Sequence, residues 1–324
     1  MSPVGTCASR AVSAGSSSRT GATAEGVVSL LREAPPQVEH AVIRVRSGVW
    51  TRERDVLAGE EPLEIRLLWF VDGVEQRKSI AVTMRTPGDD YELAIGFLHG
   101  EGLIGSRYDV VDVSYCTDPD EPQMFNIVNV TLRPGLALDL TRLERHFYTT
   151  SSCGICGKAA LEALEVAGCT PLPDGPVVSA RVLQSLPATL RAAQAVFQRT
   201  GGLHAAGLFD LHGNLELLHE DVGRHNALDK VIGARLLAGQ TPLSERLLLL
   251  SGRASFELLQ KALVARIPFV AAVGAPSSLA VQTAQAFNIT LAGFVGADGF
   301  NLYSGVERVL PAGDDLTSNP TPAE

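Results

Sequence analysis

Two cysteines three positions apart, Cys153 and Cys156, are the residues whose type and spacing most directly suggest chemistry. They lie in Thr149-Thr-Ser-Ser-Cys-Gly-Ile-Cys-Gly-Lys158, directly ahead of a stretch, residues 158–167, with helical periodicity. Ser151 or Ser152 can cap that helix, while Gly154 and Gly157 keep the approach to it open. A thiolate near a helix N-terminus is stabilised by the positive end of the dipole, and Lys158 adds a cation. The pair therefore suits a nucleophile, a disulfide-forming couple or a metal clip. The bland alternative, two small buried residues, sits poorly with the C-x-x-C spacing.

The rest of the chain narrows these options. Thioredoxin-like proteins carry the pair after an early strand of a small domain, whereas here it falls mid-chain. A structural zinc site needs four ligands, and only Cys169 follows, with no second C-x-x-C or H-x₃₋₅-H. Zinc deaminases join H-x-E to P-C-x-x-C. His99-Gly-Glu101 supplies an H-x-E, but in the other half of the chain, and Ser152 stands where proline would be. Zinc catalysis is disfavoured, and no protein-ligated metal is expected.

Three further clusters suggest an anion site. Gly201-Gly-Leu-His-Ala-Ala206 is followed by Glu220-Asp-Val-Gly-Arg-His-Asn-Ala-Leu-Asp-Lys230, which places the donors Arg224 and His225 at a helix entry with Asp221 able to orient them. An ordinary capped helix with a solvated face is the competing reading. Leu250-Ser-Gly-Arg-Ala-Ser255, with Arg253, and Ala275-Pro-Ser-Ser278 sit at strand-to-helix junctions. There, free helix N–H groups seat anions and open α/β sheets bind ligands. Neither G-x-G-x-x-G nor a P-loop is present, so the standard dinucleotide and P-loop readings fail. Residues 84–101 read as a turn leading into a helix, with Asp89 as its cap.

The elements that must position these groups change rhythm along the chain. Residues 1–39 and 313–324 read as polar tails; the first 24 residues are rich in Ser, Ala, Gly and Thr and contain no acid. Residues 40–137 form a β-rich domain, an essentially antiparallel sheet with one helix, residues 89–99, attached. Its clearest signal is a hairpin of residues 63–71 and 74–84 turning at Asp72-Gly73. Residues 138–312 hold the C-x-x-C loop and an α/β domain. Its helices are expected over residues 180–199, kinked or broken at Pro187, and over residues 224–238, amphipathic with Leu228, Val231 and Ile232 inward. Three strands alternating with helices between residues 247 and 294 predict a largely parallel sheet. The fold class is thus α/β with an α+β N-terminal part.

Composition sets the remaining bounds. With 36 acidic and 27 basic residues among 324, the formal charge is −9, which argues against a general nucleic-acid binder. No apolar run reaches the roughly 18 residues of a membrane helix. Five cysteines are too few for a disulfide scaffold and suit a reducing, cytoplasmic compartment.

Taken together, MRTPGDDYELAIGFLHGEGLI, SSCGICGKAALEAL, GGLHAAGLF, EDVGRHNALDKVIG, SGRASFELLQKA, APSSLAVQTA and GFVGADGFNLYS resemble the FdhD/NarQ family, from about residue 84 to 304. The resemblance implies a cytidine-deaminase-like, three-layer α/β/α C-terminal domain and a homodimer. It also implies a sulfurtransferase that takes sulfane sulfur from a cysteine desulfurase. The sulfur passes to the molybdenum bis(molybdopterin guanine dinucleotide) cofactor, held as a bound substrate, for formate dehydrogenase. Cys153 would carry the persulfide and Cys156 would be a supporting thiol. Phe294, Val295, Gly296, Ala297, Asp298 and Gly299 match the family's cofactor-binding stretch, with Arg224, His225 and Arg253 nearby. One departure stands out: the family pattern has Arg where this chain has Gly296, and often at Gly299.

Overall fold

The computed structural model describes residues 34–118, 125–138, 157–166 and 168–311. Its first element is a hairpin of β1 (Gln37–Arg46) and β2 (Val49–Ala58), paired along its whole length. Ser47 and Gly48 both have positive φ, the geometry that matches a two-residue turn to strand twist. Pairing begins at Gln37, so the last three residues expected to be tail are strand.

A second hairpin, β3 (Glu61–Val71) and β4 (Val74–Arg85), turns at Asp72-Gly73 as expected. Then follow α1 (Asp90–Gly100), a 3₁₀ turn at Arg107–Asp109, β5 (Val110–Tyr115) and β6 (Ile127–Leu132). The strand order is β4-β3-β6-β5; the β3–β4 and β5–β6 pairs are antiparallel, as the mainly antiparallel reading expected, and the central β3–β6 pair is parallel. Alternation places Leu63, Ile65 and Leu67 of β3 on one face with Val128 and Val130 of β6, where they bury Leu93, Ala94 and Leu98 of α1.

The second half comprises α2 (Gly157–Val166), β7 (Val178–Ser179), α3 (Ala180–Ala193), α4 (Ala195–Thr200), β8 (His204–Phe209) and β9 (Leu215–Asp221). It continues with α5 (Arg224–Leu237), β10 (Leu247–Leu250), α6 (Phe256–Val264), β11 (Phe269–Ala272) and α7 (Ser278–Ala286). It ends with β12 (Thr290–Gly296), β13 (Gly299–Ser304) and β14 (Val309–Leu310). Six strands in the order β13-β12-β11-β10-β8-β9 form the main sheet. Only β10, β11 and β12 are parallel; β8, β9 and β13 run antiparallel to their neighbours, so the sheet is mixed. Leu183, Leu186 and Leu190 of α3 cover one face. On the other, α5, α6 and α7 bury Leu228, Leu259 and Ala284, so helix, sheet and helix form three layers.

Two helices differ from expectation. The long helix breaks at Gln194, not at Pro187, which stays inside α3. The break is stabilised from a distance: the Glu220 carboxylate on β9 accepts from the Val196 and Phe197 N–H groups at the start of α4, at 2.9 and 2.8 Å. α5 is not amphipathic; Asn226 through Gly233 are all buried. The sheet lies on one side of it and α1 on the other.

The α1–α5 crossing holds the two halves together. A Cβ built on Gly96 would lie 1.8 Å from the Asp229 carbonyl oxygen, and one on Gly233 would lie 1.8 Å from that of Glu92. Each helix thus presents a glycine to the other's backbone. No helix among the described residues is long and apolar enough to cross a membrane.

Candidate functional site

Close approach of α1 and α5 clamps the loop ahead of α1 onto the entry of α5. Asp221, the last residue of β9, is fully buried. One carboxylate oxygen meets Lys230 Nζ at 2.8 Å and accepts from Thr86 N–H at 3.1 Å. The other accepts from Gly223 N–H at 2.8 Å and from Asn226 Nδ2 at 3.0 Å. Lys230 also donates to the Thr86 carbonyl, and Asn226 to that of Met84, at 2.9 and 2.7 Å. These bonds saturate a buried ion pair, the condition under which such a pair is tolerated. Asp221 therefore organises the loop before α5 rather than facing a ligand.

Asp89 does occupy the N-cap position of α1, but in a left-handed conformation and without a side-chain cap. Its carboxylate turns to His219 Nδ1 at 3.0 Å, and that hydrogen bond holds its pKa below the usual value.

The groups expected to bind an anion gather along one edge of the main sheet. β8 starts there with His204, and β10 and β11 end there. Their loops are stitched together: Ser251 N–H donates to the Ala205 carbonyl, Gly274 N–H to Gly252, and Phe294 N–H to Gly274, at 3.0, 2.9 and 3.2 Å. Close packing demands glycine here, since a Cβ on Gly252 would meet His204 Nδ1 at 3.3 Å and one on Gly274 the Gly252 oxygen at 3.0 Å. Arg253 projects from this seam, exposed. Phe294 is exposed and has φ 53°, and the Phe294–Gly299 stretch forms the β12–β13 turn, with Gly296 paired to Gly299 and Ala297 and Asp298 exposed at its tip. Val295 instead points into the core under α3.

Electrostatics at this edge favour anions. Burial, then the charges of Arg224 and His225, lower the His204 pKa below its ordinary value. Arg224 Nε is buried and has no hydrogen-bond partner among the described residues, leaving a donor for a ligand. His225 Nε2 lies 3.4 Å from Ser255 Oγ and 3.8 Å from the Glu257 carboxylate. That neighbour draws the Glu257 pKa down to about 2. One turn deeper, Asp229 on α5 pairs with Lys261 on α6 at 2.8 Å, and burial pushes its pKa up to about 6.

Cys153 and Cys156 lie outside the described residues. α2 begins at Gly157, immediately after them, and buries Leu164 against the layer formed by α5, α6 and α7. His99 of the H-x-E pair is buried, its Nδ1 3.1 Å from the Ile104 carbonyl, and Glu101 faces Lys261 at 4.0 Å. Among the described residues, no group of three or more His, Cys, Asp or Glu side chains could hold a metal ion.

Arg224, His225, Arg253 and the Phe294–Gly299 turn are thus on one edge, as the sequence suggested. Unnominated there were Glu257 and the Gly96–Gly233 crossing, and His204 had been given no role of its own within the Gly201–Ala206 cluster. A glycine near the middle of two strongly helical stretches was the one available sign of the crossing.

Fold and site define a mixed α/β protein that presents arginine and histidine side chains at the rim of its main sheet, with a C-x-x-C pair leading into a helix of the same domain. The model of the FdhD/NarQ family matches residues 58–310. The sulfur carrier protein FdhD of Streptomyces avermitilis is 50% identical over 272 residues, covering 83% of this chain and 94% of the relative. Its counterpart in Anaeromyxobacter dehalogenans is 43% identical over 293 residues, covering 87% and 97%. A crystal structure described as a formate dehydrogenase accessory protein, from Desulfotalea psychrophila, aligns with a TM-score of 0.64 at 25% identity, covering 85% of this chain and all of that one. The chain belongs to the FdhD/NarQ family.

Proposed function

We propose that this protein is a cytoplasmic, homodimeric sulfur carrier for formate dehydrogenase. Cys153 takes sulfane sulfur from a cysteine desulfurase and delivers it to the molybdenum bis(molybdopterin guanine dinucleotide) cofactor, bound as a substrate. The Cys153 thiolate attacks the terminal sulfur of the donor's persulfide. A Cys153 S–S bond forms, the donor's S–S bond breaks, and the donor cysteine leaves as thiolate with no net redox change. Once the cofactor is bound, attack by the Cys156 thiolate on the inner sulfur of the Cys153 persulfide releases hydrosulfide to it. The two electrons come from the thiols, which close as a disulfide.

The observation that carries this reading is the convergence of Arg224, His225, Arg253 and the exposed Phe294–Gly299 turn on one sheet edge, in the domain whose helix α2 begins directly after the thiol pair. Cationic donors suit the phosphates of a guanine dinucleotide, and the exposed Phe294 ring suits stacking on a base. The names of the relatives support the sulfur-carrier role. Calorimetric titration with GDP tests the recipient site. Arg253→Ala is expected to weaken binding about tenfold, the worth of one charge-assisted hydrogen bond. No GDP binding by the wild type would contradict the assignment.

A further inference from the structure

Helix α5, which opens with Arg224 and His225, has no cap of its own. Gly223 stands at its N-cap position and offers no side chain, so the amides at the entry need acceptors from elsewhere. Asp221 supplies one, and the other half of the chain supplies the next. Thr86, one residue past the end of β4, accepts at Oγ1 from the Val222 N–H at 3.1 Å. Its own N–H donates to the Asp221 carboxylate at 3.1 Å, and its carbonyl accepts from Lys230 Nζ at 2.9 Å. All three polar groups of this buried residue are therefore spent on the end of β9, the loop after it and α5.

Local chemistry aims these groups before the loop is in place. Pro87 follows Thr86, and a residue before proline is held extended. Branching at Cβ restricts χ1, so the hydroxyl has few alternative directions. Neighbours on the same segment add to the grip. Thr83 Oγ1 lies 3.3 Å from Asn226 Oδ1, and the Met84 carbonyl accepts from Asn226 Nδ2 at 2.7 Å. Residues 83–86 thus serve as an external cap for α5, although Thr86 and Val222 are 136 residues apart in sequence.

We infer that Thr86 is a positioning residue for the anion site: its hydroxyl fixes the Val222–Gly223 backbone, and through it the direction in which Arg224 and His225 leave α5. Arg224 is the first residue of the helix, so a turn of the preceding peptide swings its guanidinium directly. Binding groups work only when held to about 0.5 Å and 10–20°, a tolerance that a loop without its acceptor does not meet. This role rests on the anion-site reading above, since Thr86 acts only through Arg224 and His225.

Thr86→Val and Thr86→Ser in the full chain test it, since valine keeps the shape without the oxygen and serine keeps the oxygen. Thr86→Ala removes the same acceptor without a new methyl group and is expected to match Thr86→Val. In the ligand-free protein, amide hydrogen exchange is expected to show Val222 about tenfold less protected in Thr86→Val and within about twofold of wild type in Thr86→Ser. Calorimetric titration with GDP is expected to follow the same order, about tenfold weaker for Thr86→Val and within about twofold for Thr86→Ser. Wild-type GDP affinity in Thr86→Val, with Val222 protection lost, would leave Thr86 a purely structural residue and overturn the proposal. An equal loss in Thr86→Ser would overturn the part given to the hydroxyl. A wild type that binds no GDP would contradict the ligand reading instead; undiminished Val222 protection in Thr86→Val would still overturn the claim that Thr86 holds this loop.

Discussion

Replacing Gly233 by alanine probes the crossing that assembles the site. The added Cβ would lie 1.8 Å from the Glu92 carbonyl oxygen and 2.7 Å from the Gly96 nitrogen. Ordinary carbon contacts begin at about 3.4 Å, so α1 and α5 must separate by about 1.5 Å. Overpacking of this kind costs about 1–3 kcal/mol. The same displacement stretches Lys230 to Thr86 and Asn226 to Met84, now 2.9 and 2.7 Å, beyond hydrogen-bonding range. Each buried polar group left unsatisfied adds about 1–3 kcal/mol. The total is at least about 3 kcal/mol, which at about 2–4 °C per kcal/mol lowers Tm by at least about 6 °C. Differential scanning calorimetry measures this directly. Gly296→Ala is the control, because its Cβ meets nothing within 4 Å. A Gly233→Ala melting point within about 2 °C of wild type would refute the argument that these helices cannot separate at little cost.

Four further outcomes follow from the same geometry. Asp221→Asn leaves the fully buried Lys230 without its counter-charge and is expected to cost about 3–5 kcal/mol in urea unfolding. For Glu257, the folded-state pKa of about 2 lies below the ordinary 4.5, so its contribution is complete above pH 4.5 and lost as pH falls toward 2; Glu257→Gln should flatten that limb of a Tm–pH profile. Asp229 acts in the opposite sense, since its raised pKa makes stability decline as pH climbs from 3.8 to about 6. Gly296→Arg has open space for its side chain and adds a cation beside the exposed turn, so GDP affinity is expected to rise several-fold at low salt, with the gain shrinking as salt is added.

Local chemistry made much of this fold legible. Asp72-Gly73 specifies a two-residue turn, and the runs that became α2 and α6 carry their own helical periodicity. The differences arise where distant residues decide the outcome. Asp229 and Lys230 carry no sequence sign of their buried partners, Lys261 and Thr86, the latter 144 residues away. The break at Gln194 depends on Glu220, across a strand and a turn. β13 was obscured because the Phe294–Gly299 stretch reads as a ligand loop, whereas Phe300 and Leu302 pack against the core as a closing strand. At the site, Arg224, His225 and Arg253 were visible because charged residues at helix entries advertise anion binding. His204 lay inside the Gly201–Ala206 cluster but drew no role of its own, because a histidine opening an apolar strand gives no sign of its neighbours until Gly252 and Arg224 are folded around it.

Intact-protein mass spectrometry tests the sulfur-carrier account most directly. Wild type, Cys153→Ala and Cys156→Ala are incubated with a cysteine desulfurase and cysteine. The account predicts a gain of about 32 Da, one sulfur, reversed by reductant, abolished in Cys153→Ala and retained in Cys156→Ala. No sulfur gain, with a loss of about 2 Da on oxidation that requires both cysteines, would contradict it and identify a thiol–disulfide oxidoreductase.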